Sequence, residues 1–406
     1  MNIVFSRMKG VGNLDYVTGW YKKASQYIND SIQVAFVSTN SIVQGEHIPF
    51  FWKPFMENTG AKINFAYRAF KWENESKGAD AATVHCVIIG WRLSSNKQKI
   101  IWDEQGEKHL VSNIHPYLLD MEDILVENRS CPIQKDVRQL VYGSFALDDG
   151  NYTISQQEYE AIITKEPQIA KYLKLFIGSE EFIKGKRRYC VWLKDADISE
   201  VKKSPTLMTK IANVRAWRRS SKRKETAAMA DYPLLFAEDR QPEKEYLAIP
   251  ITSSERREYV PMGYLSKDII ASNHLFVLPD ANLFEFGCLI SKVHMAWMRV
   301  VCGRLETRYN YSARIVYNNF PWPINPSVDT INKIEMAGRG ILDAREKYPN
   351  NTLAELYDSN LMPPELRKAH RANDAAVMEA YGFRKDMTEP EIVAELFKMY
   401  QKLTKE

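Results

Sequence analysis

A chain of 406 residues is long for one core and is expected to hold two or three domains. Its 45% hydrophobic and 12% aromatic content supplies packed interiors, no apolar run approaches the ~18 residues of a membrane span, and a net charge of +4 is too mild to require a polyanionic partner. Residues 2–12 hold no apolar signal-peptide core, and five cysteines without a CxxC pair read as buried free thiols, so the expectation is a cytosolic protein.

Leu14, Val17, Tyr21, Ala24 and Ile28 recur at alternating three- and four-residue steps and predict an amphipathic helix that Ser31 ends. The nearly continuous apolar run from Ile32 to Ser38 predicts a strand buried on both faces in a parallel sheet. A helix is expected from Ile48 to Met56, opening at Pro49. Two β-rich runs follow at 61–72 and 81–91, separated by the polar stretch 73–80 with Gly78. Residues 92 to about 135 read as a connector punctuated by Asn, His and Pro.

From there to about 312 the pattern is mixed α and β. Asp148-Asp-Gly-Asn151 predicts a turn, and Ser155-Gln-Gln-Glu158 a capping box that opens a helix carrying Ile162 and Ile163. Arg188 to Leu193 alternates like a strand, and Leu283 to Val301 reads as a buried helix or helix pair. After Pro326 the chain turns helical. One helix presents Ile331, Ile334, Gly338, Ile341 and Arg345 and stops at Pro349; the last opens at Thr388-Glu-Pro-Glu391 and carries Ile392, Leu396, Met399 and Leu403.

Two stretches invite a chemical reading. Between Val201 and Lys224 stand Lys202, Lys203, Lys210, Arg215, Arg218, Arg219, Lys222, Arg223 and Lys224, with Trp217 among them and no carboxylate. Such a run is either a solvated face or a phosphate-contacting surface. Ala313 to Pro323 packs aromatics, amides and two prolines into eleven residues, either as a junction wedged into a core or as a binding segment. The histidines show no zinc-ligand spacing alongside cysteines, so no metal is expected. Gly10-Val-Gly12 lacks the third glycine of a dinucleotide fingerprint.

An ordered series of stretches resembles the MmeI-like restriction-modification proteins, in which an adenine-specific DNA methyltransferase is fused to its own DNA-reading domain. The series runs from Leu14-Asp-Tyr-Val-Thr-Gly-Trp through Ser38 to Gly45 and Phe65 to Trp91. It continues with Gly178 to Phe182, Arg188 to Leu193, Ser253 to Tyr264, Ala313 to Pro323 and Met362 to His370. The resemblance covers essentially the whole chain.

The resemblance implies an α/β part of a class I methyltransferase sheet over 1–105, ending in a reversed hairpin. An α+β target-recognition domain over 106–325 and an all-α C-terminal domain over 326–406 would follow. It implies transfer of a methyl group from S-adenosylmethionine to N6 of an adenine flipped out of double-stranded DNA, because N6 lies inside a base pair. Phe70 then matches the aromatic that stacks on the flipped base, with Trp72 as the fallback. An aromatic in a strand is otherwise core. Phosphate contacts are expected from Lys210, Arg215, Arg218, Arg219, Lys222, Arg223 and Lys224, and from Arg256, Arg257, Arg304, Arg308 and Arg314. Each is weighed against a plain salt bridge.

Neither a glycine-rich turn after a first strand nor an Asn/Asp-Pro-Pro-aromatic loop occurs; Asn325-Pro-Ser327 and Met362-Pro-Pro-Glu365 lack the aromatic. The expectation is a family member without its cofactor half, binding no cofactor and methylating nothing alone. The alternative is a DNA-specificity subunit that completes a methyltransferase with a separate chain, which an unpaired edge on the 32–91 sheet would favour. An unrelated soluble enzyme finds no nucleophile–base pair or metal cluster in its support.

Overall fold

The computed structural model describes residues 1, 3–5, 10–73, 83–94 and 98–405. It divides into two compact units, each discontinuous in sequence. One is Met1–Val137, Lys292–Asn325 and Tyr381–Glu406; the other is Arg138–Ser291 and Pro326–Ala380. Among the described residues no helix is long and apolar enough to cross a membrane.

The first unit opens with α1 (Thr18–Ala24) and β1 (Val34–Thr39), followed by a π-type turn at Ile48–Trp52 that runs into α2 (Lys53–Thr59). Strands β2 (Lys62–Glu73), β3 (Thr83–Arg92), β4 (Lys99–Trp102) and β5 (Lys108–Val111) complete a sheet of order β1-β3-β2-β4-β5. β3 is antiparallel to both β1 and β2, and β4 runs parallel to β2. An aromatic cluster ties the helices to one sheet face. Tyr21 lies 5.0 Å from Phe36 and 5.7 Å from Trp52, and Phe55 lies 5.1 Å from Trp91.

Three expectations are corrected here. The first helix is shorter than Leu14–Ile28, because Thr18 caps onto the Asp15 carbonyl and the Asn29 side chain turns the chain at Ser31. β1 is not a doubly buried parallel strand. It pairs antiparallel with β3 at the margin of the sheet, and Val37 on its outward face is 52% exposed. The supposed connector contains β4 and β5, whose hairpin is closed by Asp103 accepting from the amides of Gln105 and Glu107 around Gly106. From residue 74 on, the polar separator with Gly78 lies outside the described residues.

The second unit begins with β6 (Val141–Tyr142), β7 (Thr153–Ser155), α3 (Gln156–Lys165), β8 (Leu173–Ile177), α4 (Ser179–Lys184) and β9 (Arg188–Val191). Helices α5 (Ile198–Lys203), α6 (Pro205–Ser220) and α7 (Lys224–Ala228) follow. Then come β10 (Tyr246–Pro250), β11 (Thr252–Ser253), β12 (Gly263–Leu265), β13 (Ile270–Ala271), β14 (Leu275–Pro279) and α8 (Leu283–Leu289). Two four-stranded sheets result, β12-β10-β14-β6 and β13-β8-β9-β7. The Asp148–Asn151 turn forms, with Asp149 and Gly150 both at positive φ. So does the Ser155/Glu158 capping box. β9 is a strand, but Tyr189, Cys190 and Val191 are all buried instead of alternating.

Leu283 to Val301 is indeed two helices: α9 (Lys292–Val301) belongs to the first unit, as do β15 (Gly303–Leu305) and β16 (Arg308–Asn310). The Ala313–Pro323 stretch is core. Ile315, Tyr317 and Phe320 are fully buried, and the Asn319 amide donates to the carbonyls of Glu127, Arg314 and Ile315. α10 (Val328–Glu346), α11 (Leu353–Leu356) and α12 (Pro364–Ala380) return to the second unit, and α13 (Glu389–Lys405) to the first. The α10 face is as expected, with Ile334, Gly338 and Ile341 buried. On α13 the buried stripe is rotated toward Val393, Phe397 and Tyr400, leaving Met399 and Leu403 half-buried.

Candidate nucleic-acid interface

The acid-free basic run, 201–224, folds as the end of α5, α6 and the start of α7. Ser204 caps α6 by accepting from the Leu207 amide, and Pro205 takes the first position, where its missing N–H costs nothing. Leu207, Ile211, Val214 and Arg218 form the buried side of α6, the first three of them in the unit's main apolar core. That packing leaves Lys202, Lys203, Arg215, Arg219, Lys222, Arg223 and Lys224 exposed. Lys210 is half-buried, its Nζ donating to the Asn151 carbonyl at 2.9 Å, and Trp217 is half-buried too. Arg219 approaches Asp231 at 3.7 Å.

Arg218 must be struck from the phosphate candidates. It is fully buried, and its five N–H groups donate to the carbonyls of Ala146, Leu147, Met229, Tyr232 and Leu235 at 2.7–3.1 Å. A guanidinium so saturated has no donor left for a phosphate. Burial accordingly lowers its pKa.

The remaining arginines lie elsewhere. In the second unit Arg256 is exposed, 3.9 Å from Glu255. Arg257 is half-buried, bonded weakly to Ser253 Oγ at 3.4 Å, and its Nε has no acceptor among the described residues. Burial pulls its pKa down. In the first unit Arg304 and Arg308 share the β15–β16 hairpin. Arg304 stacks 4.0 Å over the Tyr309 ring, and Arg308 pairs with Glu306 at 2.8 Å. Arg314 is exposed and donates to Asn128 Oδ1 at 3.2 Å.

Phe70 and Trp72 both lie on β2, just past a register shift between Tyr67 and Phe70. Phe70 is half-buried opposite Cys86, whereas Trp72 is 54% exposed, and their rings stand 6.4 Å apart. The strand thus offers one partly sheltered and one open aromatic.

A methyl-donor nucleotide needs a glycine cradle at the end of a strand, and neither Gly10 nor Gly45 offers one. Gly10 opens a 3₁₀ turn, Val11–Asn13, and the Phe50 ring fills the space a cradle would leave. Gly45 is packed against the Gly303 backbone. No metal ligands are expected from the sequence; in the structure Asp103, Glu107 and His109 bring ligand atoms within 4.8 Å of one another. Their spacing in a hairpin could have signalled this. The Asp103 carboxylate already bonds His109 at 2.7 Å and two amides, and the His109 bond holds its pKa low, so the group is accounted for as a hairpin lock.

Residues 1–103 match the family model of the MmeI DNA-methyltransferase domain, 120–324 that of the MmeI target recognition domain, and 327–406 that of the MmeI C-terminal domain. A similar protein is DNA methyltransferase A of Bacillus subtilis (strain 168), 39% identical over 403 residues. The alignment spans 99% of this chain and 45% of that protein. The solved structure of the type IIL restriction-modification enzyme MmeI in complex with DNA matches with a TM-score of 0.94 and 44% identity, over 100% of this chain and 54% of that one. The chain therefore spans about half the length of these relatives. On these three matched segments, taken with the shared fold, the chain belongs to the MmeI family.

Proposed function

We propose that residues 1–406 are the DNA-recognition portion of an adenine-N6 DNA methyltransferase of a type II restriction-modification system, reading double-stranded DNA in sequence-specific fashion. The observation that carries this is the exposed cations of residues 201–224, a stretch without a carboxylate, lying within the segment matched to a target recognition domain. Its cations are the phosphate-positioning groups, joined by Arg256, Arg257, Arg304, Arg308 and Arg314. Phe70 is the aromatic that stacks on the flipped adenine, with Trp72 the fallback. The division at 105 and 325 separates a methyltransferase part, a recognition domain and a helical C-terminal domain. In this reading S-adenosylmethionine is held by the complete enzyme, and residues 1–406 taken alone bind DNA without transferring a methyl group.

A second reading has its own support. Among the described residues β1 pairs on one side only, and Ala35 and Val37 on its outward face are exposed. An open edge suits pairing with a further strand, and in this reading a separate chain supplies that strand together with the cofactor half.

The test is fluorescence anisotropy with a labelled random-sequence duplex pool at several salt concentrations. Micromolar binding that weakens steeply with salt is expected, and no binding at low salt overturns the proposal. With a cofactor half added, Phe70→Ala should abolish methylation and spare DNA affinity; equal loss of both makes Phe70 a core residue.

A further inference from the structure

Helix α12 carries Arg367, His370 and Asp374 at steps of three and four, so the three side chains share one face. That face holds the segment after β11, residues 254–262. Glu258 pairs with Arg367 at 3.1 Å, and the Tyr259 hydroxyl donates to Asp374 Oδ2 at 2.6 Å. The Tyr259 ring lies 4.1 Å from the His370 ring and nearly parallel to it. Three residues on, the Met262 carbonyl accepts from Arg345 Nη1 of α10 at 2.6 Å. Tyr259 and Met262 are buried, and so are His370 and Asp374.

The grip continues inward. Arg345 also donates to the Tyr357 hydroxyl, through Nε at 2.9 Å and through Nη2. An oxygen that accepts twice gives its own proton away, and His370 Nε2 stands 2.8 Å from it. His370 is thereby fixed as a neutral ring against Tyr259, in line with a pKa that burial holds well below 6.5.

Between β11 and this anchorage stands a group without a comparable hold. Arg257 is half-buried, and its one side-chain hydrogen bond among the described residues is the 3.4 Å contact with Ser253 Oγ. Its Nε is buried without an acceptor, and Asp358 and Glu255 act on it only from a distance. A sheltered guanidinium with idle donors is costly unless an acceptor arrives, and its planar fork matches a phosphate. Its place is set through the chain instead, since Glu258 and Tyr259 directly follow it. We propose that the clamp of α10 and α12 presents Arg257 to a phosphate of the DNA backbone, with Asp374, His370 and Arg345 as positioning residues. Two residues from its anchor, the guanidinium keeps little freedom to lose when the phosphate binds. This rests on the DNA-recognition reading above and gives the helices matched to the C-terminal domain a part in it.

The experiment is a double-mutant cycle on duplex binding by the full chain, read with the labelled random-sequence pool at several salt concentrations. Arg257→Ala should weaken binding by roughly tenfold and lower the salt slope by about one. Tyr259→Phe cuts the hold on Asp374 and leaves Arg257 present, so affinity and slope should both fall part of that way. Combined, the two should bind no more weakly than Arg257→Ala alone. A clamp that serves stability only would lower the thermal midpoint and add its loss to that of Arg257→Ala. Should Tyr259→Phe not fold, Arg367→Ala opens the half-exposed pair with Glu258 and completes the same cycle. Additive losses, or unchanged binding by Arg257→Ala, overturn this inference and leave the recognition reading standing. No binding by the unsubstituted chain overturns both.

Discussion

Arginines 215, 218 and 219 are indistinguishable as letters in a basic run, yet they do opposite work. Arg215 and Arg219 stand in solvent, while Arg218 points inward and gathers five carbonyls from 146–147 and 229–235. Removing it strands those acceptors in the interior, where each unmet group is costly. Arg218→Ala is expected to lower unfolding free energy by about 3–5 kcal/mol, read by urea titration, whereas Arg215→Ala should leave the urea midpoint unmoved. Helical periodicity held the clue. Arg218 lies seven residues after Ile211 and four after Val214, on the apolar side of the helix, but a charged residue in a basic run reads as solvated until its acceptors are seen.

Elements whose ends are encoded locally were legible. The Ser155 capping box, the 148–151 turn and the α10 face all rest on residues within a few positions of one another. β4 and β5 were not legible, because four-residue strands leave too short a pattern for period-two reading; β4 is fixed by pairing with β2, and β5 by pairing with β4. Glycines on α10 give a contrast that only packing explains. A side chain at Gly338 would press on the Leu283 carbonyl 3.1 Å away and on Phe286, whereas one at Gly340 meets nothing within 4 Å. Gly338→Leu should therefore destabilise by about 1–3 kcal/mol. Gly340→Ala should stabilise by about 0.5–1 kcal/mol, because alanine loses less backbone freedom. Thermal melts of the two variants should shift in opposite directions.

At the scale of the molecule, buried histidines couple folding to pH. His115 is fully buried, accepts from the Tyr117 amide at Nδ1 and bonds the Ile124 carbonyl through Nε2; burial pulls its pKa down from 6.5 to about 4. His47 and His370 are lowered by burial as well. Above pH 6.5 all three are neutral in folded and unfolded chains alike, and the stability from keeping them buried is fully present. As pH falls from 6.5 toward 4, the unfolded chain takes protons that the folded chain refuses, so stability declines. His115 alone accounts for about 3 kcal/mol of that decline. Urea midpoints measured from pH 7 to pH 4 should fall, and His115→Gln should flatten part of the slope. A flat profile in the parent chain would remove the argument.

The sequence by itself determined the family, through an ordered series of short stretches, and the caps, turns and acid-free basic stretch, each carried by neighbouring residues. Only the tertiary structure decided that Arg218 is a buried keystone, that the Ala313–Pro323 stretch is core, and that β1 lies at a sheet margin. The reason is physical. A side chain's role is set by which acceptors and apolar groups converge on it, and those arrive from far along the chain. The Asn319 amide takes carbonyls from Glu127 and Ile315, and Arg218 from Ala146 and Leu235.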